Sequence, residues 1–478
     1  MDHLDAFHIL TVGNAPQLVR DLWNRIADRG GYRISHLAHP SFDSNSWPET
    51  LQSHPVYFFR DDIRMPIKPA NREFLASLER DGVPTIHNMI LSDRVVSKLP
   101  YEEALGYASL LADRLFRIYE MVRPTVVIGG FDALHGSLAL AVARHMSIPW
   151  YAPSFTALPR GQAALATDLT PASPVIFDPH REQLLRPEAE RLLKDFESRK
   201  MQAAAYIPPN LFSASFILGQ IPIQLAAFFR VLGRRRLKGH LKFTDYPNSY
   251  SIRGQVGEAL RLRRNSWFLN RRVLLARPPQ RRFAFFGLHM QPESSIDVFA
   301  HFFSNQARVI ELIARSLPPT HSLLIKLHKS DTLNYSSESL AKYSGFPGVE
   351  LVSQHADTLS FIQQADLIFS IQGTIALEAA LLGRPVIVFG DSPTKRFPSV
   401  STVGKTVDLP NLIRQKFAEP PPSRSDIVAA FAAYLAAFYP ACHNDWNVRP
   451  TNEQIDDFVK LFALLRTRDL GPLAKAEV

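Results

Sequence analysis

Short, nearly continuous apolar runs alternate along this chain with longer stretches in which apolar residues recur every three or four positions. That is the rhythm of buried strands alternating with amphipathic helices in βαβ units. In the first half it predicts strands at Ala6 to Val12, Val56 to Phe59, Thr85 to Met89, Thr125 to Ile128 and Pro149 to Ala152. Helices are predicted at about Pro16 to Ala27 and Tyr101 to Val122. In the second half strands are read at Phe283 to Leu288, Ser322 to Leu327, Leu367 to Ile371 and Pro385 to Phe389, with helices at Ile375 to Leu382, about Ser425 to Phe438 and Thr451 to Leu465. The fold class is α/β. Since 478 residues exceed the usual reach of one hydrophobic core, two domains are expected. The boundaries read are 1–200 for a Rossmann-like acceptor-side domain, 201–281 for an interdomain segment, 282–420 for a second Rossmann-like domain and 421–478 for terminal helices.

Charge is distributed unevenly between the domains. From Met201 to Phe229 there are 29 residues without a charge, and Pro208, Pro209, Pro222, Gln220 and Gln224 argue against a membrane-spanning helix there. Residues 230 to 282 then hold 15 Lys or Arg, among them Arg234, Arg235, Arg236 and Lys238, against only Asp245 and Glu258. This one segment produces the net charge of +9. An aromatic apolar stretch beside a cationic one is the pattern of docking on an anionic membrane surface; a solvated Arg-rich linker is the alternative. No nucleic-acid-binding module accompanies the charge, so no nucleic-acid partner is expected. The single cysteine, Cys442, excludes an intrachain disulfide and fits a reducing cytoplasm. Met1 to His8 lacks the basic and apolar regions of a secretion signal.

Polar clusters mark the strand ends. Gln291-Pro292-Glu293, Lys326-Leu327-His328 and Ser370-Ile371-Gln372-Gly373-Thr374, with Glu378 a helical turn on, each follow a predicted strand. Ligands of open parallel sheets sit outside the carboxyl ends of the strands, so the clusters point to one bound molecule, read as a nucleotide. Gly373 lets a phosphate approach the backbone, Thr374 is a natural N-cap, and the first turn of the following helix offers unpaired N–H groups. A carboxylate at Glu378 can accept hydrogen bonds from ribose hydroxyls. Taken singly, each cluster also reads as ordinary capping or packing.

Phe286 to Ser294, Lys326-Leu327-His328 and Ser370 to Thr374 with Glu378 together resemble the bacterial capsule and surface-polysaccharide biosynthesis family, over about residues 280 to 395. The family's characterised members are retaining, CMP-Kdo-dependent β-Kdo glycosyltransferases. The resemblance implies a GT-B-like architecture, two Rossmann-type domains facing a central cleft. It also implies a glycosyltransferase that moves Kdo or a related ulosonic acid from a CMP-sugar donor to a lipid-linked glycan acceptor of capsule or lipopolysaccharide. The family usually has His-Pro where this chain has His328-Lys329. On this reading Gln291, Glu293, Lys326, His328, Ser370, Gly373, Thr374 and Glu378 bind the nucleotide sugar, and the terminal helices cross back to the first domain. The expected location is cytoplasmic, peripheral on the inner face of the cytoplasmic membrane.

Retention by double displacement needs a carboxylate nucleophile opposite the leaving group. Asp132, after the Gly129-Gly130 turn, is the candidate, with capping of the next helix as its alternative role. His135 would orient the acceptor hydroxyl, with simple packing as its alternative role; Asp43 is the reserve carboxylate, and His8 and Asn14 are weaker acceptor-side candidates. No Asp-x-Asp motif stands near the pocket, so neither an obligate metal clamp nor another cofactor is implied. A UDP- or GDP-sugar transferase or epimerase of the same fold, and a non-catalytic assembly subunit, are the competing functions.

Overall fold

A computed structural model describes residues 7–40, 42, 44–45, 47–51, 53–59, 68–93, 95–130, 133–169, 179–201, 260, 264–265, 267, 274–291, 293–328, 337–441 and 450–466. The membrane-docking reading of 201–281 falls almost wholly outside them, as do Asp43 and Asp132. Among the described residues no helix is long and apolar enough to cross a membrane.

The first half opens with β1 (His8–Asn14), a helical segment from Pro16 that passes through a π-helical Val19–Trp23 into α1 (Asn24–Gly30), then β2 (Arg33–Ala38) and β3 (Val56–Tyr57). Next come α2 (Ile86–Ser92), α3 (Tyr101–Val122), β4 (Val126–Ile128), α4 (Leu134–His145), β5 (Trp150–Phe155), β6 (Gln162–Ala166) and α5 (Pro179–Glu197). Residues Thr85 to Met89, expected as a strand, instead begin α2. The Thr85 hydroxyl accepts from the Asn88 N–H, and the buried Ile86, Met89 and Ile90 recur at helical spacing. In α3, Leu105, Ala108, Leu111, Ala112, Leu115, Ile118 and Tyr119 form the buried stripe, while Glu102 and Glu103 complement the positive helix start. Tyr119 ties α3 to α4 by donating to the Ala139 carbonyl at 3.2 Å.

The second half supplies β7 (Phe283–Gly287), α6 (Ser294–Asp297), α7 (Gln306–Ser316), β8 (Ser322–Lys326), β9 (Val349–Val352), α8 (Thr358–Gln364), β10 (Leu367–Ser370), α9 (Thr374–Leu381), β11 (Val386–Val388) and β12 (Val400–Thr402). It closes with α10 (Arg424–Ala436), β13 (Tyr439–Pro440) and α11 (Asn452–Arg466).

Two sheets result. One runs β13-β6-β5-β4-β1-β2-β3 and the other β12-β11-β10-β7-β8-β9. All pairings within the second are parallel, as are those among β1 to β5 in the first; only β6 and β13 add antiparallel edges. Each sheet therefore carries the Rossmann strand order, reversing direction between β1 and β4 and between β7 and β10. The fold is α/β with two Rossmann-type halves, the GT-B-like arrangement.

The chain crosses between the halves more than once. Ala189, Leu193 and Phe196 of α5 are buried with Phe283, Phe285 and Phe361 of the second half, and α5 lies along α10. In the other direction, β13 pairs with β6, and Ile455, Phe458, Leu461 and Phe462 of α11 are buried against Ile9, Trp23 and Ile26. Arg29 pairs with Asp456, and Tyr32 donates to the Val459 carbonyl at 3.0 Å. The exposed ion pair adds little, and the buried aromatic contacts hold α11 in place.

Candidate functional site

In the second sheet the direction reverses at β7 and β10, and polar groups gather beside that point. A cavity of about 400 Å³ opens there, walled by Gly287 to Leu288 after β7, Lys326 to His328 after β8, Gln354 to Leu359 after β9, and Thr374, Ile375 and Glu378 of α9. Phe196, Arg199 and Met201 at the end of α5 complete it. A volume of this order suits a small organic ligand.

Thr374 is not the N-cap. Gly373 holds that position with extended backbone, and Thr374 is the first helical residue, one position later than expected. Its side chain is thereby exposed at the cavity wall while the Gly373 N–H donates to the buried Ser370 hydroxyl at 2.9 Å. Gly373 is required for close approach: a Cβ there would stand 2.8 Å from His289 Nε2. His289 Nε2 accepts from the Gln372 N–H at 3.2 Å, and burial pushes its pKa down to about 3, so it packs as a neutral ring.

Lys326 is buried, and its ammonium donates to the Gln354 carbonyl at 3.2 Å. Burial, with Lys326 adding repulsion, lowers the His328 pKa, leaving a neutral imidazole at the cavity. Glu378 is the most perturbed acid of the site. Burial raises its carboxyl to about 7, partly opposed by Lys326 and reinforced by Asp357, and among the described residues it has no hydrogen-bond partner. A carboxyl group desolvated without a partner in a cavity wall is costly in the empty protein and is a marker of ligand contact.

Four predicted residues, Lys326, His328, Thr374 and Glu378, thus line one cavity. Four do not. Ser370 and Gly373 shape the turn behind it. Gln291 donates to Asp297 Oδ1 at 2.8 Å and to the Ser304 carbonyl at 3.0 Å, and accepts from Gln306 at 3.2 Å. The Glu293 N–H donates to Asp297 Oδ2 at 3.0 Å. Gln291 and Glu293 therefore brace the loop after β7. That loop carries Val298 and Phe299 into the core of the first half, linking the cavity wall to the other domain.

Residues 264–437 match the family described as capsule polysaccharide biosynthesis protein. The likeness covers the second sheet, most of its cavity wall and α10. No curated protein matches the chain in sequence. Among solved structures, the beta Kdo 2,4 transferase of Thermosulfurimonas dismutans KpsC aligns over 85% of this chain and 99% of its own, at 14% identity and a TM-score of 0.36. The beta Kdo 2,7 transferase of the same protein aligns over 74% and 89%, at 11% identity and a TM-score of 0.34. S. aureus MnaA in a structure with UDP aligns over 90% and 93%, at 12% identity and a TM-score of 0.29. The fold assignment rests on the strand orders.

The first half has a smaller polar site at its own reversal point. His39, Asp93, Tyr107, Ala133, Leu134 and His135 surround a cavity of about 30 Å³, room for about one water. The His39 and His135 rings meet edge to face at 4.9 Å, and burial lowers both pKa values. Gly13, at φ +82°, leaves room for His135: a Cβ there would lie 2.7 Å from His135 Nε2. His8 and Asn14 are spent elsewhere. His8 begins β1, at the opposite end of the strand from this cavity, and bonds Ser35 at 3.0 Å, while Asn14 accepts from Trp23 Nε1 at 3.0 Å.

Asp93 is the residue sequence reasoning missed here. Its buried carboxylate accepts the Val95, Val96 and Leu134 N–H groups, each at 2.8 Å. The Leu134 bond fixes the start of α4 behind Ala133, whose φ of 74° and ψ of 160° are tolerated mainly by glycine and cost about 1–3 kcal/mol. A contact across 41 residues leaves no local signal. Asp93→Ala is expected to destabilise the protein by about 3 kcal/mol or more, because two buried donors and a third, part-buried one lose their acceptor. Urea unfolding checks this; a loss below about 1 kcal/mol would mean water replaces the carboxylate. Gln354 and Asp357 were missed too, although Ser353 to Asp357 is a polar cluster after an apolar run, the same signal that marks the other strand ends.

Proposed function

We propose that this protein is a glycosyltransferase of surface-polysaccharide assembly that transfers Kdo or a related ulosonic acid from a CMP-activated donor to a lipid-linked glycan, with retention. The observation that carries the proposal is the meeting of Lys326, His328, Thr374 and Glu378 in one cavity of the part of the chain that matches the capsule polysaccharide biosynthesis family. The donor phosphate lies at the N-terminus of α9, where Thr374 and the unpaired N–H groups favour an anion. His328 donates to the same phosphate, and Lys326 stabilises the charge on the departing CMP. Glu378 accepts the ribose hydroxyls. Asp132 is the nucleophile and His135 orients the acceptor, both from the first half. The basic segment holds the enzyme on the inner face of the cytoplasmic membrane, where a lipid-linked acceptor is found.

Thermal unfolding in CMP, UMP and GMP tests the donor. CMP at 100 times its Kd is expected to add about 2.7 kcal/mol, with smaller effects from the other two. Stabilisation by UMP or GMP in place of CMP would replace the donor with a UDP- or GDP-sugar, and a flat response to all three would favour a non-catalytic subunit.

A further inference from the structure

At the far wall of the donor cavity, α5 ends in a geometry that places one cation. Arg199 has a left-handed φ of 59°, and the N–H groups that follow it, Lys200 and Met201, both return to the Asp195 carbonyl, at 2.8 and 3.0 Å. Such a helix end is rigid, and it sets the Arg199 side chain against the cavity. The guanidinium donates to Asp357 Oδ2 at 2.8 Å, and both residues line the cavity while remaining half-exposed.

Two features make this ion pair easy to exchange. A half-exposed pair contributes little to stability. Asp357 also occupies the N-cap position of α8, yet its side chain does not cap that helix. An aspartate there has a second set of partners in the first N–H groups of α8, so losing Arg199 does not strand its charge. Arg199, in turn, is free to take a different anion.

Among the described residues, Lys326 and Arg199 bring basic side chains to the cavity wall from opposite elements; His328 is neutral, and at neutral pH the raised pKa of Glu378 keeps a substantial fraction of it protonated. Lys326 sits with α9 at the proposed phosphate position. We infer that Arg199 receives the donor's second anionic group, exchanging Asp357 for it when the donor binds. Resting on the CMP-ulosonate reading, that group is the ulosonic carboxylate, which a planar guanidinium grips through two hydrogen bonds. The same chemistry fits the β-phosphate of a nucleoside diphosphate, so both are tested.

Isothermal titration of the full chain with CMP, CMP-Kdo, UMP and UDP separates the outcomes. Arg199→Asn is the variant of choice because asparagine tolerates the left-handed backbone, and Asp357→Asn removes the competing anion. The expected result is that Arg199→Asn weakens CMP-Kdo at least tenfold while changing CMP by less than about threefold, and that Asp357→Asn tightens CMP-Kdo. A selective loss of UDP over UMP, with no binding of CMP, would keep Arg199 as the second-anion receptor and overturn the CMP-donor reading. Equal losses for one-anion and two-anion ligands, or none, would overturn the inference itself. Circular dichroism of both variants keeps a folding defect from being read as a binding one.

Discussion

Between pH 4.5 and about 7 the unliganded protein is expected to lose about 3 kcal/mol of stability through Glu378, and Glu378→Gln is expected to abolish that loss. The sign follows from burial. Glu378 holds its proton up to about 7 in the folded state, against 4.5 in an exposed chain, so within that window the unfolded state ionises more readily and becomes favoured as pH rises. Below 4.5 both states are protonated, and above about 7 both are ionised with the full penalty in place. Denaturant unfolding of both proteins isolates the effect from other titrations: the two should agree near pH 4.5 and diverge by about 3 kcal/mol at pH 8, with the variant more stable. Parallel curves would show that Glu378 is solvated and does not face a dry cavity.

The same substitution should act in the opposite direction on the ligand. Ribose hydroxyls bond a charged carboxylate more strongly than a neutral amide, so Glu378→Gln or Glu378→Ala should weaken CMP by about 1–3 kcal/mol. A residue whose removal stabilises the empty protein and weakens its complex is held for binding, since selection tolerates local instability where function requires it. Structural capping or packing at Glu378 would produce the reverse stability effect.

Much of the fold was legible because it depends on local patterns. Leu367 to Ile371 and Ser322 to Leu327 are apolar runs too short for helices, and they became β10 and β8 within one residue. Thr85 to Met89 failed because a run this short with only two apolar residues, Ile86 and Met89, does not fix its period, and the packing of Ile86, Met89 and Ile90 decides for the helix. Thr374 failed by a single position because glycine and threonine both cap helices, and the Ser370 hydroxyl, bonded to the Gly373 N–H, sets where α9 begins. Within the site, the cavity-facing residues after β8 and β10 were found, while those after β9 and the internal partners of Gln291 were not. Its bonds to Asp297, Ser304 and Gln306 lie on the far side of a loop whose path no motif reveals. Arg199 was beyond reach as well, since nothing in the first half's sequence tells that α5 packs on the second sheet.

Asp132→Asn is expected to fold, to bind CMP with unchanged affinity and to lose transfer at least about a hundredfold, a barrier increase near 2.7 kcal/mol. Asp132 lies outside the described residues, and its assignment rests on what flanks it. Gly130 ends the turn after β4 and Ala133 begins the approach to α4 in backbone that alanine rarely adopts, while Asp93 accepts the next N–H. Strain of this kind persists only where surrounding structure enforces it, and it clusters where a side chain must be presented. Asp93 already serves the helix start at Leu134, which weakens the capping role otherwise open to Asp132. The substitution separates the two: asparagine caps helices as well as aspartate does, so a cap would lose neither stability nor turnover. A nucleophile would lose turnover alone, because its bond to the sugar forms only on the reaction path. Transfer to a synthetic glycan acceptor, measured beside CMP titration, gives both quantities. Near-normal transfer would move the nucleophile to Asp43, and a product of inverted anomeric configuration would reject double displacement for this protein.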